Sequence, residues 1–202
     1  MKASRPLLVL LGLALAGVAA ALWVLANAPQ RDTVLPKIVQ LPDFSLVDTQ
    51  GKTVSLKDLS GRPWVADLIF TSCSGICPRM TGEMQRLGSD TGDLDDLRFV
   101  SITVDPERDT PEVLAAYAAR AGADPARWLF LTGEREEIWR LAREGLLLPV
   151  AKGNVKLGDE EIIHSQRFVL VDGEGAVRGT YDVRDAEALA RLRNDIRQIT
   201  VR

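Results

Sequence analysis

Trp64-Val65-Ala66-Asp67-Leu68-Ile69-Phe70-Thr71-Ser72-Cys73-Ser74-Gly75-Ile76-Cys77-Pro78 is the stretch that decides the fold. Trp64 to Phe70 is a mostly apolar run, of the length and character of a strand buried on both faces. It stops just before the cysteines, so the first thiol follows the C-terminal end of a strand. Pro78 suits the first position of a helix, and Met80, Met84 and Leu87 recur at helical spacing up to Gly88. A helix therefore starts at the second cysteine.

Working outward, Phe44 to Val47 and Thr53 to Leu56 alternate around Asp48-Thr49-Gln50-Gly51, which reads as a hairpin. Leu97 to Val104 is a second buried strand. Thr110-Pro111 makes an N-cap and first-turn pair for a helix through about Ala121, ended by Gly122. Leu129 to Leu131 is a short strand, and Glu134 to Glu144 a charged amphipathic helix. Arg167 to Val171 pairs with Ala176 to Tyr181 across Asp172-Gly173-Glu174-Gly175. A last helix runs from about Ala186 to Gln198, with Ala188, Leu189, Leu192 and Ile196 inward. This order predicts an α/β fold with a mixed sheet flanked by helices, and a thioredoxin-like topology fits it. Sites in such sheets form beyond the carboxyl ends of strands, where the two cysteines fall.

The chain of 202 residues carries 25 Lys plus Arg against 28 Asp plus Glu. With that balance a nucleic-acid partner is not expected. Met1 to Arg5 is short and basic, and residues 6–28 hold no charge, which is long enough for an uncleaved helix across a bilayer of roughly 20 apolar residues. Lys2 and Arg5 put the remainder on the outer side of the membrane, with Trp23 near the outer interface. Ala26-Asn27-Ala28 has the form of a signal cleavage site, against which stand the length of the run and Pro29. The expected organisation is an anchor over 1–28, a tether over 29–36 and one domain over 37–202.

An exported domain with two cysteines holds a disulfide by default. Three residues separate Cys73 from Cys77, instead of the two of ordinary thioredoxin motifs, and a loop of that span fits either a disulfide or a metal. Cys77 at a helix N-terminus is expected to favour the thiolate. His164 is the only histidine; a lone histidine is ordinarily a surface or hydrogen-bonded residue, but the strand after it should lie beside the central one and bring it to the cysteines' edge. Two thiolates and one neutral imidazole suit copper in both oxidation states, and close poorly around structural zinc, which takes four ligands. In Asp105-Pro106-Glu107-Arg108-Asp109-Thr110, Asp109 and Thr110 read as capping and turn residues, while Asp105 at the strand end can orient a ligand.

Phe70 to Pro78, the Val104 to Asp109 run, and His164 followed by Phe168-Val169-Leu170-Val171-Asp172 together resemble the Sco/SenC family of copper-binding proteins over nearly all of 41–199. The resemblance implies a thioredoxin-like fold behind an N-terminal anchor. It gives Cys73, Cys77 and His164 the role of copper ligands and Asp105 that of a supporting acid. The implied task is preparing the binuclear copper centre of cytochrome c oxidase subunit II, with an upstream copper donor, at the outer face of the cytoplasmic membrane. Ser74 departs from the proline that many members carry there, which puts the stiffness of the loop and its redox poise in doubt.

The rival is a thiol-disulfide oxidoreductase acting on the oxidase cysteines. Against a general thioredoxin-like reductase stand the wider spacing and Ile162-Ile163-His164, where a proline would be wanted. A peroxiredoxin would need threonine and proline where Phe70 and Ala66 stand. Other features have plainer readings: Asp90 to Asp96 as a solvated loop, Glu134 to Glu144 as an exposed ion-paired face, Met80 and Met84 as core rather than thioether ligands. Lys152 to Glu161 is polar and reads equally as a flap over the metal or a docking surface.

Overall fold

The computed structural model describes residues 35–73, 75–152 and 162–200, with Leu13, Gly17, Val18 and Trp23 of the N-terminal segment. In chain order these form β1 (Val39–Gln40), β2 (Ser45–Asp48), β3 (Thr53–Ser55), α1 (Leu56–Leu59), β4 (Trp64–Ile69), α2 (Cys77–Asp90), β5 (Arg98–Thr103) and α3 (Pro111–Arg120). There follow β6 (Trp128–Thr132), α4 (Arg135–Arg140) running into one π turn (Leu141–Gly145), β7 (Val150–Lys152), β8 (Ile162–His164), β9 (Arg167–Val171), β10 (Ala176–Asp182) and α5 (Ala186–Thr200).

Eight strands make one mixed sheet in the order β1-β10-β9-β4-β5-β6-β2-β3. β4, β5 and β6 run parallel, and β9 lies antiparallel against β4. All six residues of β4 are buried, as the apolar run requires of a strand covered on both faces. On one face Ala66 and Leu68 pack with Val100 and Ile102 under Ile138, Leu141 and Leu146. On the other, Val65 and Ile69 meet Met80, Met84 and Leu87 of α2, Leu114 of α3, and Leu192 and Ile196 of α5. Each of these Val, Leu, Ile and Met side chains contributes about 1.5–3 kcal/mol on burial. Met80 and Met84 are fully buried, so their place is in the core.

α3 begins as the sequence indicates: the Thr110 hydroxyl accepts from the Val113 N–H, and Pro111 opens the helix. It ends at Gly122, whose φ of +63° is the left-handed conformation that closes a helix.

Several expectations need correction. Leu56 leaves the hairpin to start α1, whose first turn is closed by a Ser55–Asp58 capping box. The helix expected over Glu134 to Glu144 is α-helical only to Arg140, then widens into the π turn, and Leu147 beyond it takes φ +56° before β7. Strands β1 and β7 carry too few residues to show a period and were not expected. The Asp90 to Asp96 stretch keeps its acids exposed, as expected of a solvated loop, and Asp90 and Asp93 form surface ion pairs with Arg193 and Arg197 of α5 at 2.8 and 2.7 Å.

The chain divides into two compact units, Met1–Val34 and Leu35–Arg202. The run 6–28 read as an anchor lies outside the described residues, apart from Leu13, Gly17, Val18 and Trp23, and among the described residues no helix is long and apolar enough to cross a membrane.

Candidate metal centre

β4 ends at Ile69, and the chain turns through Phe70 to Ile76 into α2, whose first residue is Cys77. This junction carries both thiols. His164 ends β8, which pairs antiparallel with β7 in a separate two-stranded ribbon, Val150 standing opposite His164. The ribbon brings the ring to the thiols: one donor atom from each of Cys73, Cys77 and His164 lies within 4.8 Å of the other two. These residues stand 4 and 87 positions apart along the chain, so only the tertiary fold makes the cluster.

The histidine is oriented on both sides. Its Nδ1 lies 3.0 Å from the Ser165 carbonyl oxygen, which can only accept, so Nδ1 carries the hydrogen. The lone pair is then on Nε2, 3.2 Å from Cys77 Sγ. Phe70 meets the imidazole edge-on at 5.4 Å between centroids. Burial depresses the basicity of the ring, which the Ser165 carbonyl only partly restores. A neutral imidazole with its free nitrogen aimed at the sulfurs is the form a metal takes.

The thiols differ from each other, and here the structure reverses an expectation. Cys77 is fully buried, and that burial drives its thiol well above the ordinary range, reinforced by hydrogen bonding to Cys73 and offset in part by the backbone at Phe70. Its position in the first turn does not outweigh the loss of water around Sγ. Cys73 is only partly buried. Desolvation works against its ionisation, but the Cys77 thiol and the backbone groups of Cys77, Gly75 and Ile76 together bring it below the ordinary thiol range. The exposed-side sulfur is thus the readier thiolate and the inner one the stored thiol.

Asp109, read from the sequence as a turn or capping residue, does something else. Thr110 caps α3 alone. Asp109 is fully buried, and its carboxylate accepts the Thr71 N–H at 3.0 Å, the Thr71 hydroxyl and the Thr103 hydroxyl. It ties the start of the cysteine loop to the end of β5. Asp105 is also buried, but its carboxylate faces Arg108 Nη1 at 3.4 Å, and among the described residues no hydrogen bond joins it to the sulfurs or the ring. Its backbone carbonyl accepts from the N–H of Arg108 and of Asp109, forming the turn that presents Asp109. Phe70 and Asp109 were missing from the residues singled out as a site. The only sequence signal for them is proximity, one before the loop and one after the neighbouring strand.

Chemically the cluster has two soft sulfur donors and one borderline nitrogen, short of the four ligands of a closed structural site. It can hold a soft ion in an open set, or the sulfurs can join.

Comparison with known proteins places these features in a wider set. The family model described as SCO1/SenC matches residues 35–200. The SCO1 protein homolog of Bacillus subtilis is 36% identical over 149 residues, covering 73% of this chain and 76% of that protein. The copper-bound structure of Bradyrhizobium japonicum ScoI superposes with a TM-score of 0.65 at 28% identity, over 77% of this chain and 99% of that one. The structure of BsSco, described as having a disulfide switch and as a member of the Sco family of cytochrome c oxidase assembly proteins, gives 0.69 at 32% identity, over 80% and 93%.

Proposed function

The chain belongs to the SCO1/SenC family, and from that premise we propose that it takes up one copper ion and helps assemble the binuclear copper centre of cytochrome c oxidase subunit II. The observation that carries this reading is the convergence of two sulfurs and one ring nitrogen within 4.8 Å. Copper is the cargo the donor set suits. Two thiolates and a neutral imidazole leave one negative charge with Cu(I) and none with Cu(II), so neither oxidation state strands a large charge in a partly buried site. Three donors also leave room for a recipient's ligand, as delivery requires.

Each protein group has a part. Cys73, the more acidic thiol, meets the ion first; Cys77 and His164 Nε2 complete the grip. Ser165 and Phe70 keep the ring aimed, and Asp109 holds the loop against β5. Asp105 supports the site through the turn that carries Asp109. The apolar run 6–28 behind Lys2 and Arg5 tethers this thioredoxin-like domain to the cytoplasmic membrane on its outer side, within reach of the oxidase and of an upstream copper donor.

A copper titration of the reduced chain tests the reading. We expect one equivalent bound, with a thiolate-to-copper absorption band in the Cu(II) form. His164→Ala should weaken Cu(II) binding while leaving disulfide formation intact; unchanged affinity in that variant would remove the imidazole from the ligand set.

A second reading, thiol-disulfide exchange with the oxidase cysteines, draws support from the unequal thiols. A lowered Cys73 beside a protonated Cys77 is the arrangement of an attacking and a resolving thiol. A reductase would turn over disulfide substrates as well without His164 as with it.

A further inference from the structure

Tyr117 of α3 and Thr81 of α2 meet one turn beyond the second cysteine, and the function proposed above uses neither. The Tyr117 phenol oxygen lies 2.7 Å from Thr81 Oγ1. Thr81 is buried and follows Cys77 by one turn of α2, so its Cβ stands about 5–6 Å from that of the inner thiol. The phenol is a fixed post: Phe130 of β6 meets its ring edge-on at 6.0 Å between centroids, and the Arg120 guanidinium lies over the ring at 5.7 Å.

The same segment grips the other flank of the cysteine loop. Asp109, directly before the Thr110 cap of α3, accepts from the Thr71 N–H at 3.0 Å and from the Thr71 hydroxyl. Thr71 lies two residues before Cys73, and Thr81 four after Cys77. Thr110 caps α3, Pro111 stiffens its first turn, and about 9 Å of helix separates Pro111 from Tyr117. One stiff strut therefore holds both ends of the segment that carries the sulfurs, and it does so with both thiols free. Closure to a disulfide draws the sulfurs from a cluster within 4.8 Å to about 2.05 Å, with Cβ atoms about 3.8 Å apart. With both flanks pinned, the few residues between them must absorb that movement.

We propose that Tyr117 is a positioning residue for the sulfur pair: through Thr81 it holds the Cys77 turn of α2 in the open arrangement that receives the metal, and so sets how readily the pair closes to a disulfide. Closure passes two electrons and two protons to a low-molecular-weight disulfide. The Cys73 and Cys77 S–H bonds break, an S–S bond forms between them, and the S–S bond of the acceptor breaks to give two thiols. A hydrogen bond satisfied in the dithiol and strained in the disulfide favours the dithiol by the difference between the two states.

The inference rests on the sulfur pair of the copper reading, but its test needs no metal, so the two fail separately. The metal-free full chain is equilibrated in glutathione redox buffers, and the disulfide fraction is counted by thiol alkylation and mass. Tyr117→Phe and Thr81→Val should each favour the disulfide by about 3–10-fold, the worth of one hydrogen bond, and the double variant by no more than either alone. Thr81→Ser, which keeps the hydroxyl, should keep the wild-type equilibrium. A bond that only stabilises the fold weakens both redox forms alike, so an equilibrium unmoved in Tyr117→Phe overturns the inference, as do a shift toward the dithiol and additive shifts in the double variant. Should the variants fail to fold, amide hydrogen exchange along α2 of the wild type decides: weaker protection around Thr81 in the disulfide form upholds the inference, and equal protection in the two forms overturns it. A reduced chain that binds no Cu(I) removes the copper reading and leaves the role of Tyr117 to these results.

Discussion

Cys73 and Cys77 hang from the junction of β4 and α2, in the middle of an eight-stranded sheet, whereas His164 ends β8 in a ribbon that pairs with β7 apart from that sheet. The sulfur half is held by the core: Cys77 is fully buried and Asp109 anchors the loop at Thr71. The nitrogen half is held by a ring contact with Phe70, a hydrogen bond to Ser165 and the short ladder opposite Val150. Grip and stability are thus bound together on one side of the site and separable on the other.

That contrast can be broken most directly at the buried sulfur. Cys77→Ser should lower copper affinity by more than about 100-fold, beyond the 10–100-fold typical of groups that only orient ligands, as measured by competition with a chelator. Next comes Asp109→Ala, which leaves the Thr71 N–H and the Thr71 and Thr103 hydroxyls without their acceptor. It should cost about 2–4 kcal/mol in urea unfolding and about 10–100-fold in copper affinity. A chain weakened in metal binding but not in stability would show that the clamp does not belong to the core. The smallest effect lies on the histidine side. Because burial holds the ring below its ordinary 6.5, the unfolded chain takes up the proton first as pH falls. Stability is full above about 6.5 and declines as pH drops toward the lower folded value. His164→Ala should lack this decline, and unfolding curves from pH 7 to 5 that run parallel in the two chains would place the ring in water.

Much of this was legible in the residues. The buried strand before the thiols, the helix starting at Cys77, the Thr110-Pro111 start of α3 and the hairpin of β9 and β10 each carry a local signal in periodicity, capping or turn chemistry. The convergence of His164 with the thiols followed from topology, because β9 lies against β4. What escaped was set by side-chain direction and by contacts distant in sequence. Cys77 stands where a helix terminus favours the thiolate, yet its sulfur turns inward and dehydration prevails. Asp109 has the type and place of a turn residue, and nothing in its neighbours shows that its carboxylate reaches back to Thr71, 38 positions away. β7 and β8 are too short to show alternation, and they meet across a polar stretch that offers no period.

The pairing of Val150 with His164 has one more consequence. Val150 is rooted in the main core, so it fixes which step of β8 faces inward. In a two-stranded ladder a slip of a single step sends every side chain to the opposite face. The nitrogen donor would then leave without any residue being replaced, so possession of a third ligand is a matter of alignment as much as of composition, and a change in the length of the 153–161 connection could silence the site in a chain whose ligand residues all remain.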